Sequence, residues 1–293
     1  MSKVKKRRKL TVLGRFVIIL FIGVLFGASL GFYYRLTNDN VKKGDVKEQK
    51  QEEEVVSKKE EMDASLVMVG DALIHSAVYL DAYTGDGYDF KPMLKEIKPM
   101  IKEYDLKYYN QETILGGTEL GLSNYPRFNS PYEVGDAFID AGFNLVSLAT
   151  NHTMDKGEQG VINSLNYWNS KDDVYTAGSY LSNEDRDEVI IKEVNGITYS
   201  FFSYTTWTNG LETPSGKEYL NNVYSPEKAK ADILKVRDKA DVVIVAMHWG
   251  TEYSTSVSAT QEEIANYLSS LGVDIIIGSH PHVVEPIAFI GKT

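Results

Sequence analysis

From Ser65 onward, short apolar runs alternate with segments whose apolar residues recur at helical spacing. The strand-like runs lie at residues 66–69, 106–109, 143–149, 242–247 and 273–277, and the helical patterns at 92–104, 132–141, 158–170, 226–239 and 260–271. Because a helix between two strands normally connects a parallel pair, this alternation predicts an α/β domain with a largely parallel sheet. Asn195-Gly196, between strand-like runs at 187–194 and 197–204, predicts one antiparallel hairpin.

Two local features add to this prediction. Pro99 is expected to kink the helix at 92–104 or to end it early, since proline lacks the amide hydrogen that a helix interior uses. Pro286–Ile290 is predicted to form a last strand, and Gly291-Lys292 a hairpin turn. A hairpin turn requires a return strand, so we expect the natural protein to continue beyond Thr293.

All five histidines follow the ends of predicted strands: His75, His152, His248, His280 and His282. A lone histidine is more often a hydrogen-bonded structural residue, but independent placement of all five at strand ends is improbable. In open α/β sheets, ligands bind at the carboxyl ends of the strands. Acid and amide side chains accompany the histidines there: Asp71, Asn110, Glu112, Asn151 and Asp155. Nitrogen and oxygen ligands without sulfur suit Mn, Fe, Zn or Mg, and the sequence does not distinguish among them.

The N-terminal region predicts a membrane anchor. Residues 1–15 contain seven Lys/Arg and no acid, and residues 16–34 form a run without charge. As a helix this run would span about 28 Å, close to the hydrocarbon thickness of a bilayer. The positive-inside rule places residues 1–15 in the cytoplasm. We therefore predict a single-pass protein of the cell membrane, with a charged linker at 35–63 and an extracytoplasmic domain at 64–293. The alternative is a cleaved signal peptide, because Ala28 and Ser29 are small.

Charge and cysteine content exclude several classes of function. Beyond residue 15 the chain holds 24 Lys/Arg against 41 Asp/Glu. Such an acidic body is a poor platform for nucleic acid, since phosphate contacts need clustered cations. The absence of cysteine excludes disulfides, zinc–thiolate sites and the lipid-modified cysteine of a bacterial lipoprotein.

Six separated sequence elements occur in an order that resembles one family. They are VGDALIH, YNQET, YPRFNSP, LATNHTMDKG, AMHWGTEY and IIGSHPHVVEPI. Together they resemble the calcineurin-like metallophosphoesterases and, more closely, the CapA/PgsA poly-γ-glutamate capsule proteins, over about residues 65–290. The resemblance implies a metallophosphoesterase-like α-β-β-α sandwich that holds divalent metal ions, two of them if the superfamily pattern applies.

The resemblance also implies roles for individual residues. The positions that match metal ligands are Asp71, Glu112, Asn151, His248, His280 and His282. His152 matches a position proposed as a general acid or phosphate contact. Asn151, directly before it, is predicted to be a catalytic residue as well as a metal ligand.

Two positions depart from the superfamily pattern. The superfamily opens with Asp-x-His, whereas Asp71 and His75 are four residues apart. His75 is therefore either a ligand or a residue that contacts substrate or supports the ligands. Glu112 stands where many phosphoesterases have Asp, so the geometry of a bridged metal pair would differ. Arg127, in YPRFNSP, is a candidate for binding an anionic substrate.

Two functions follow from the resemblance. The first is a membrane-anchored protein of capsule or poly-γ-glutamate synthesis or export, whose metal site hydrolyses a phosphoester-type bond while His152 protonates the leaving group. The alternative is a non-catalytic, metal-binding scaffold in a complex that synthesises a cell-envelope polymer. The expected partners in both cases are the membrane, a polymer synthase complex and an anionic polymer, and not nucleic acid.

Overall fold

The computed structural model describes residues 61–293. The predicted basic segment 1–15, the membrane segment 16–34 and all but the last three residues of the linker 35–63 lie outside the described residues. Within residues 61–293, no helix combines the length and the apolar character that crossing a bilayer requires.

Within residues 61–293, eight strands form two four-stranded sheets. The first sheet contains four parallel strands in chain order: β1 (Leu66–Asp71), β2 (Leu106–Asn110), β3 (Leu145–Ser147) and β4 (Tyr175–Ala177). The second sheet contains β5 (Lys192–Val194), β6 (Ile197–Thr205), β7 (Val242–His248) and β8 (Ile275–Ser279). Only β5 runs antiparallel to its neighbour. The predicted parallel arrangement with one hairpin is therefore confirmed, although it is divided between two sheets.

Helices connect the strands and cover the outer faces of the sheets. They are α1 (Ser76–Asp81), α2 (Lys91–Leu94), α3 (Ile97–Ile101), α4 (Glu133–Ala141), α5 (Gly157–Trp168), α6 (Asn183–Asp187), α7 (Pro226–Val236) and α8 (Ala259–Ser270). Local sequence sets several of their ends. Ser258 and Gln261 form a capping box at the start of α8. Gly142 ends α4 with a positive φ of 107°, which glycine adopts without steric cost.

The alternation of side chains along each strand builds three apolar layers. Tyr108 of β2 packs between the sheets, whereas the next residue, Tyr109, packs outward under the helices of the first sheet. In β7, Ile244 faces the layer between the sheets, while Val243 and Val245 face α7 and α8. Successive side chains of a strand point to opposite faces, so each sheet contributes to the shared layer between the sheets and to an outer layer under its own helices. The order of layers is therefore helix, sheet, sheet, helix.

The predicted single helix at 92–104 is two short helices, α2 and α3, separated at Lys95–Glu96. Proline in a helix clashes with the carbonyl four residues earlier, which for Pro99 is that of Lys95. The break therefore lies upstream of Pro99 and not after it. Pro99 is tolerated inside α3 because the first amide groups of a helix have no intrahelical partner.

The predicted strand at Pro286–Ile290 is wrong, because these residues have no regular secondary structure. Ile287 and Phe289 are 99% and 96% exposed. A strand needs a neighbour for its backbone amides and carbonyls, and none pairs with this segment within residues 61–293. The turn at Gly291-Lys292 does form, with Ile290 and Thr293 exchanging backbone hydrogen bonds of 3.0 and 2.9 Å.

Candidate metal centre

The carboxyl ends of strands from both sheets meet at one place. Asp71 ends β1, His248 ends β7, and His280 and His282 follow β8. The backbone N–H of His280 donates to Oδ2 of Asp71 at 3.1 Å, which links the second sheet to the first. The six residues predicted as metal ligands lie in one cluster at this junction: Asp71, Glu112, Asn151, His248, His280 and His282.

Glu112 lies at the centre of this cluster. The residue is 1% exposed, and neither carboxylate oxygen has a hydrogen-bond partner among residues 61–293. Oε1 of Glu112 lies 3.6 Å from Nε2 of His248 and 3.7 Å from Nε2 of His282. Ligand atoms of Glu112, His280 and His282 all lie within 4.8 Å of one another, and Nδ1 of His280 also has no partner. Unpaired buried carboxylate oxygens beside imidazole nitrogens fit a divalent cation, which supplies the missing partner.

His248 is held by hydrogen bonds on both ring nitrogens. Nδ2 of Asn110 donates to Nδ1 of His248 at 3.2 Å, and Oγ of Ser279 lies 3.1 Å from the same nitrogen. Because Asn110 donates here, Nδ1 accepts, and the neutral ring carries its proton on Nε2. That Nε2 lies 2.8 Å from Oδ1 of Asn151. The ring is thus oriented with Nε2 toward Asn151 and Glu112. A neutral ring that bound a metal through Nε2 would carry its proton on Nδ1 instead, where Oγ of Ser279 can accept it.

Burial and neighbouring charges shift the ionisation of the cluster. Burial raises the pKa of Glu112 well above its ordinary value, and the negative charges of Asp71 and Glu252 add to the effect. Burial lowers the pKa of His248 well below its ordinary value and also lowers that of His280. Neutral imidazole is the form that binds metal, so both rings favour ligation.

Asp71 and His282 form a hydrogen-bonded pair at the edge of the cluster. Burial opposes ionisation of Asp71, but the hydrogen bond from His282 and the nearby His248 together bring its pKa below the ordinary value. The same hydrogen bond raises the pKa of His282. The Asp71 carboxylate is therefore anionic at neutral pH, as a metal ligand must be.

His152 is positioned beside the cluster by a carboxylate. Its Nδ1 lies 2.7 Å from Oδ2 of Asp155, which also accepts the backbone N–H of Phe128 at 2.6 Å. The ring of Phe128 packs edge-on against the His152 ring at 4.7 Å. With Nδ1 held by Asp155, Nε2 of His152 is the nitrogen that remains to give or take a proton.

His75 and Arg127 lie apart from the six clustered residues. Nδ1 of His75 lies 3.1 Å from Oδ1 of Asn124, and its ring packs edge-on against Phe128 at 5.0 Å. His75 is thus one aromatic ring away from His152 and contacts none of the six ligand candidates. The Arg127 side chain is exposed, and only its backbone forms hydrogen bonds within the described part of the chain.

Three residues of the site carry functions that the sequence did not assign. Asn110, noted only for its position after a strand, donates from Nδ2 to both Asp71 Oδ1 (2.8 Å) and His248 (3.2 Å). Ser279 was not singled out, although a hydroxyl directly before His280 at a strand end is a usable signal. Asn209 accepts a 3.4 Å hydrogen bond from Nδ2 of Asn151. It lies in a distant loop, and its sequence context contains no such signal.

Comparison with known proteins identifies a family. The family described as bacterial capsule synthesis protein PGA_cap matches residues 65–293. The PGA biosynthesis protein CapA of Bacillus subtilis (strain 168) is 34% identical over 162 residues, which is 53% of this chain and 40% of that protein. The capsule biosynthesis protein CapA of Bacillus anthracis is 27% identical over 244 residues, 78% of this chain and 57% of that protein. The chain thus spans about half the length of these relatives.

Two solved structures are similar to this chain, and the first of them shares its fold. A putative 5'-nucleotidase from Staphylococcus aureus aligns with a TM-score of 0.52 at 18% identity, over 78% of this chain and 47% of that one. The calcineurin-like phosphoesterase YfkN from Bacillus subtilis aligns with a TM-score of 0.49 at 17% identity, over 77% of this chain and 74% of that one. Because the family match covers the whole of the two-sheet domain and its six clustered residues, the chain belongs to the bacterial capsule synthesis protein family PGA_cap.

Proposed function

We propose that this protein is a metal-dependent hydrolase of a phosphoryl or related ester, acting in the synthesis or export of an anionic capsule polymer. One observation carries the proposal: Glu112 is fully buried with two unpaired carboxylate oxygens, between imidazole nitrogens at 3.6 and 3.7 Å. A buried carboxylate without a partner is strongly unfavourable, and a cation bound at Glu112 would remove that cost.

The chain's own residues would hold and orient the reacting groups. Asp71, Glu112, Asn151, His248, His280 and His282 are the groups that would bind divalent ions, two in the arrangement we propose. Ions bound there would lower the pKa of a water molecule and polarise the ester. His152, held through Nδ1 by Asp155, would carry a proton on Nε2 for the leaving group. Asn110 orients two of the ligands at once.

The polymer and the location are further parts of the proposal. The names of the relatives refer to PGA and capsule biosynthesis, and a polymer synthase complex would be the partner. The uncharged run at 16–34 after a basic N-terminus supports a single-pass anchor with the domain outside the cell. Protease added to intact spheroplasts should cut the lysine-rich linker at 42–59 and release the domain. A domain that stays protected would contradict this topology, and a mature N-terminus near residue 30 would indicate signal cleavage.

Turnover of bis-p-nitrophenyl phosphate by the metal-loaded protein tests the enzymatic proposal. We expect hydrolysis that chelation abolishes. With an alkyl phosphodiester, whose leaving alkoxide needs a proton, we expect a loss of about 100-fold or more in His152→Asn, because positioned acid–base groups contribute that much. Asn266→Ala is the matched control, since Asn266 is exposed and bonds only to the carbonyl of Glu262 within its own helix. Hydrolysis that is equal in the two variants would contradict the role of His152.

Metal content, measured together with turnover, distinguishes the enzymatic function from the scaffold function. Protein that binds metal but turns over neither this ester nor phosphomonoesters would favour the non-catalytic scaffold. Protein that binds no Mn, Zn or Fe after reconstitution would contradict both functions.

A further inference from the structure

Five of the 17 basic residues of this acidic domain line one surface groove. Residues 61–293 hold 17 Lys/Arg against 34 Asp/Glu. Between residues 61 and 155 there are only six Lys/Arg, and five of them line a single groove: Lys91, Lys95, Lys98, Lys102 and Lys107. The metal centre uses none of these lysines. Their concentration is therefore unexplained by the proposed hydrolytic site.

The groove runs between two helical segments. The short helices α2 and α3 form one wall, and the end of α4 with Gly142 forms the other. Its volume is about 740 Å³. Four of the lysines recur every three or four residues, so they lie along one flank of α2 and α3. At about 1.5 Å per residue, this row of ammonium groups extends over roughly 16 Å.

The ammonium groups are available to an external ligand. Lys95 and Lys102 pair with Glu96 and Glu103 at 3.7 Å, and all four side chains are at least 72% exposed. Exposed pairs of this kind are worth at most about 1 kcal/mol, so a multivalent anion can replace them. Lys91 and Lys107 form no ion pair within residues 61–293.

One lysine is held more firmly. Lys98 pairs with Asp140 at 2.7 Å. Asp140 and Asp89 are the only acidic residues among those that line the groove, against five lysines. The lining is thus basic in a domain whose overall charge is strongly negative.

The groove and the metal centre lie at opposite ends of the first sheet. Lys107 is the second residue of β2, and Gly142 shortly precedes β3, so the groove borders the amino ends of these strands. Asn110 and Asp71, at the carboxyl ends of β2 and β1, belong to the metal centre. A strand of five residues is about 16 Å long. A ligand chain could therefore occupy the groove without entering the metal centre.

We propose that this lysine groove is a second binding site, which holds a segment of a linear polycarboxylate chain away from the metal centre. A row of point charges within a groove fits an extended polyanion with a charge on each unit, whereas a flat membrane surface would not follow the groove. The carboxylate chemistry of the ligand rests on the proposed function. The domain's net negative charge would otherwise repel such a polymer, and the lysines of the groove would offset that repulsion locally.

The test uses the full chain in non-ionic detergent and fluorescein-labelled polyglutamate, with binding followed by fluorescence anisotropy. The groove variant replaces Lys91, Lys95, Lys98 and Lys102 with Gln, and the matched control replaces Lys192, Lys230, Lys239 and Lys292, which are exposed elsewhere. We expect binding that weakens with salt, and a loss of about tenfold or more in the groove variant only. A variant with Arg at the four groove positions should keep the affinity, which separates lost charge from lost folding.

Equal affinity of the groove and control variants would overturn the proposal, as would no binding by the unaltered chain. Preferential binding of polyphosphate or of phosphatidylglycerol vesicles, with none of polyglutamate, would overturn it in favour of another anion. Binding that persists in chelator and in His280→Ala supports a site separate from the metal centre. Metal content and ester hydrolysis are measured on the same samples, so failure of the groove and failure of the hydrolytic function give different results.

Discussion

Nδ1 of His282 lies 3.1 Å from Oδ2 of Asp71, although the two residues come from the last and the first strand-end motifs of the domain. The same carboxylate oxygen accepts the backbone N–H of His280, and Oδ1 accepts Nδ2 of Asn110. One carboxylate thus connects both sheets. Asp71 therefore stabilises the junction of the sheets as well as offering oxygen ligands to a cation.

This pair predicts a pH-dependent effect of His282→Gln in the metal-free protein. The raised pKa of His282 stabilises the fold below its ordinary pKa, and that contribution is lost as the pH rises through the folded-state pKa. The lowered pKa of Asp71 stabilises the fold above the ordinary aspartate value, and that contribution is lost as the pH falls. Urea unfolding with chelator present should show a cost of about 1–2 kcal/mol near pH 5.5 and a smaller cost near pH 9. A cost independent of pH would contradict the ion pair.

Glu112→Gln should stabilise the metal-free protein and remove its response to metal. At neutral pH the buried carboxylate must either ionise without a partner or hold a proton, and its raised pKa reports this cost. We expect the melting temperature without metal to rise by a few degrees, equivalent to about 1 kcal/mol or more. Added Mn or Zn should stabilise the unaltered protein but not the variant. Glu262→Gln, on the exposed face of α8, is the control and should change neither value.

Metal content should depend on the clustered histidines and not on His75. We expect about two divalent ions per chain in the unaltered protein, the number in a two-metal hydrolytic site. His248→Ala and His280→Ala should each lower the content measured by elemental analysis. His75→Ala should retain it, because His75 contacts Asn124 and Phe128 and none of the six clustered residues. Loss of metal in His75→Ala would contradict this prediction and indicate that His75 is a ligand.

Gly178→Ala should destabilise the fold near the metal centre. Gly178 has a φ of 111°, and an added Cβ would lie 2.6 Å from the backbone nitrogen of Ala149. The backbone at Ala149 cannot move without also moving Asn151 and His152, which follow it in the chain. We expect a loss of about 2–3 kcal/mol in urea unfolding, from overpacking and backbone strain together. Gly121→Ala, also at positive φ but with open space around it, should cost less. Equal costs would mean that the close approach to Ala149 is unimportant.

Local sequence predicted elements well where the signal lies within a few residues. The hairpin at Asn195-Gly196 forms with positive φ at both residues, as the dipeptide predicts. Prediction failed where an element depends on a distant partner. Pro286–Ile290 has the composition of a strand, but no neighbouring strand pairs with it within residues 61–293. Pro99 was recognised as a helix-breaking residue, while the position of the break follows from the carbonyl with which its ring would clash.

The sequence by itself determined which chemistry was available: histidine, carboxylate and amide groups after successive strands, no cysteine, and a row of lysines on an acidic domain. The alternation of strand-like and helical segments along the chain predicted that most of those strands would be parallel. The family resemblance of its motifs already implied two sheets, whereas only the tertiary structure decided that the carboxyl ends of strands from both sheets meet. It alone placed Asn110 between Asp71 and His248, left His75 outside the cluster, and positioned the lysine groove at the opposite end of the first sheet. The physical reason is that contacts between distant segments depend on how whole sheets pack, and that packing is the sum of many side-chain contacts that no local pattern contains.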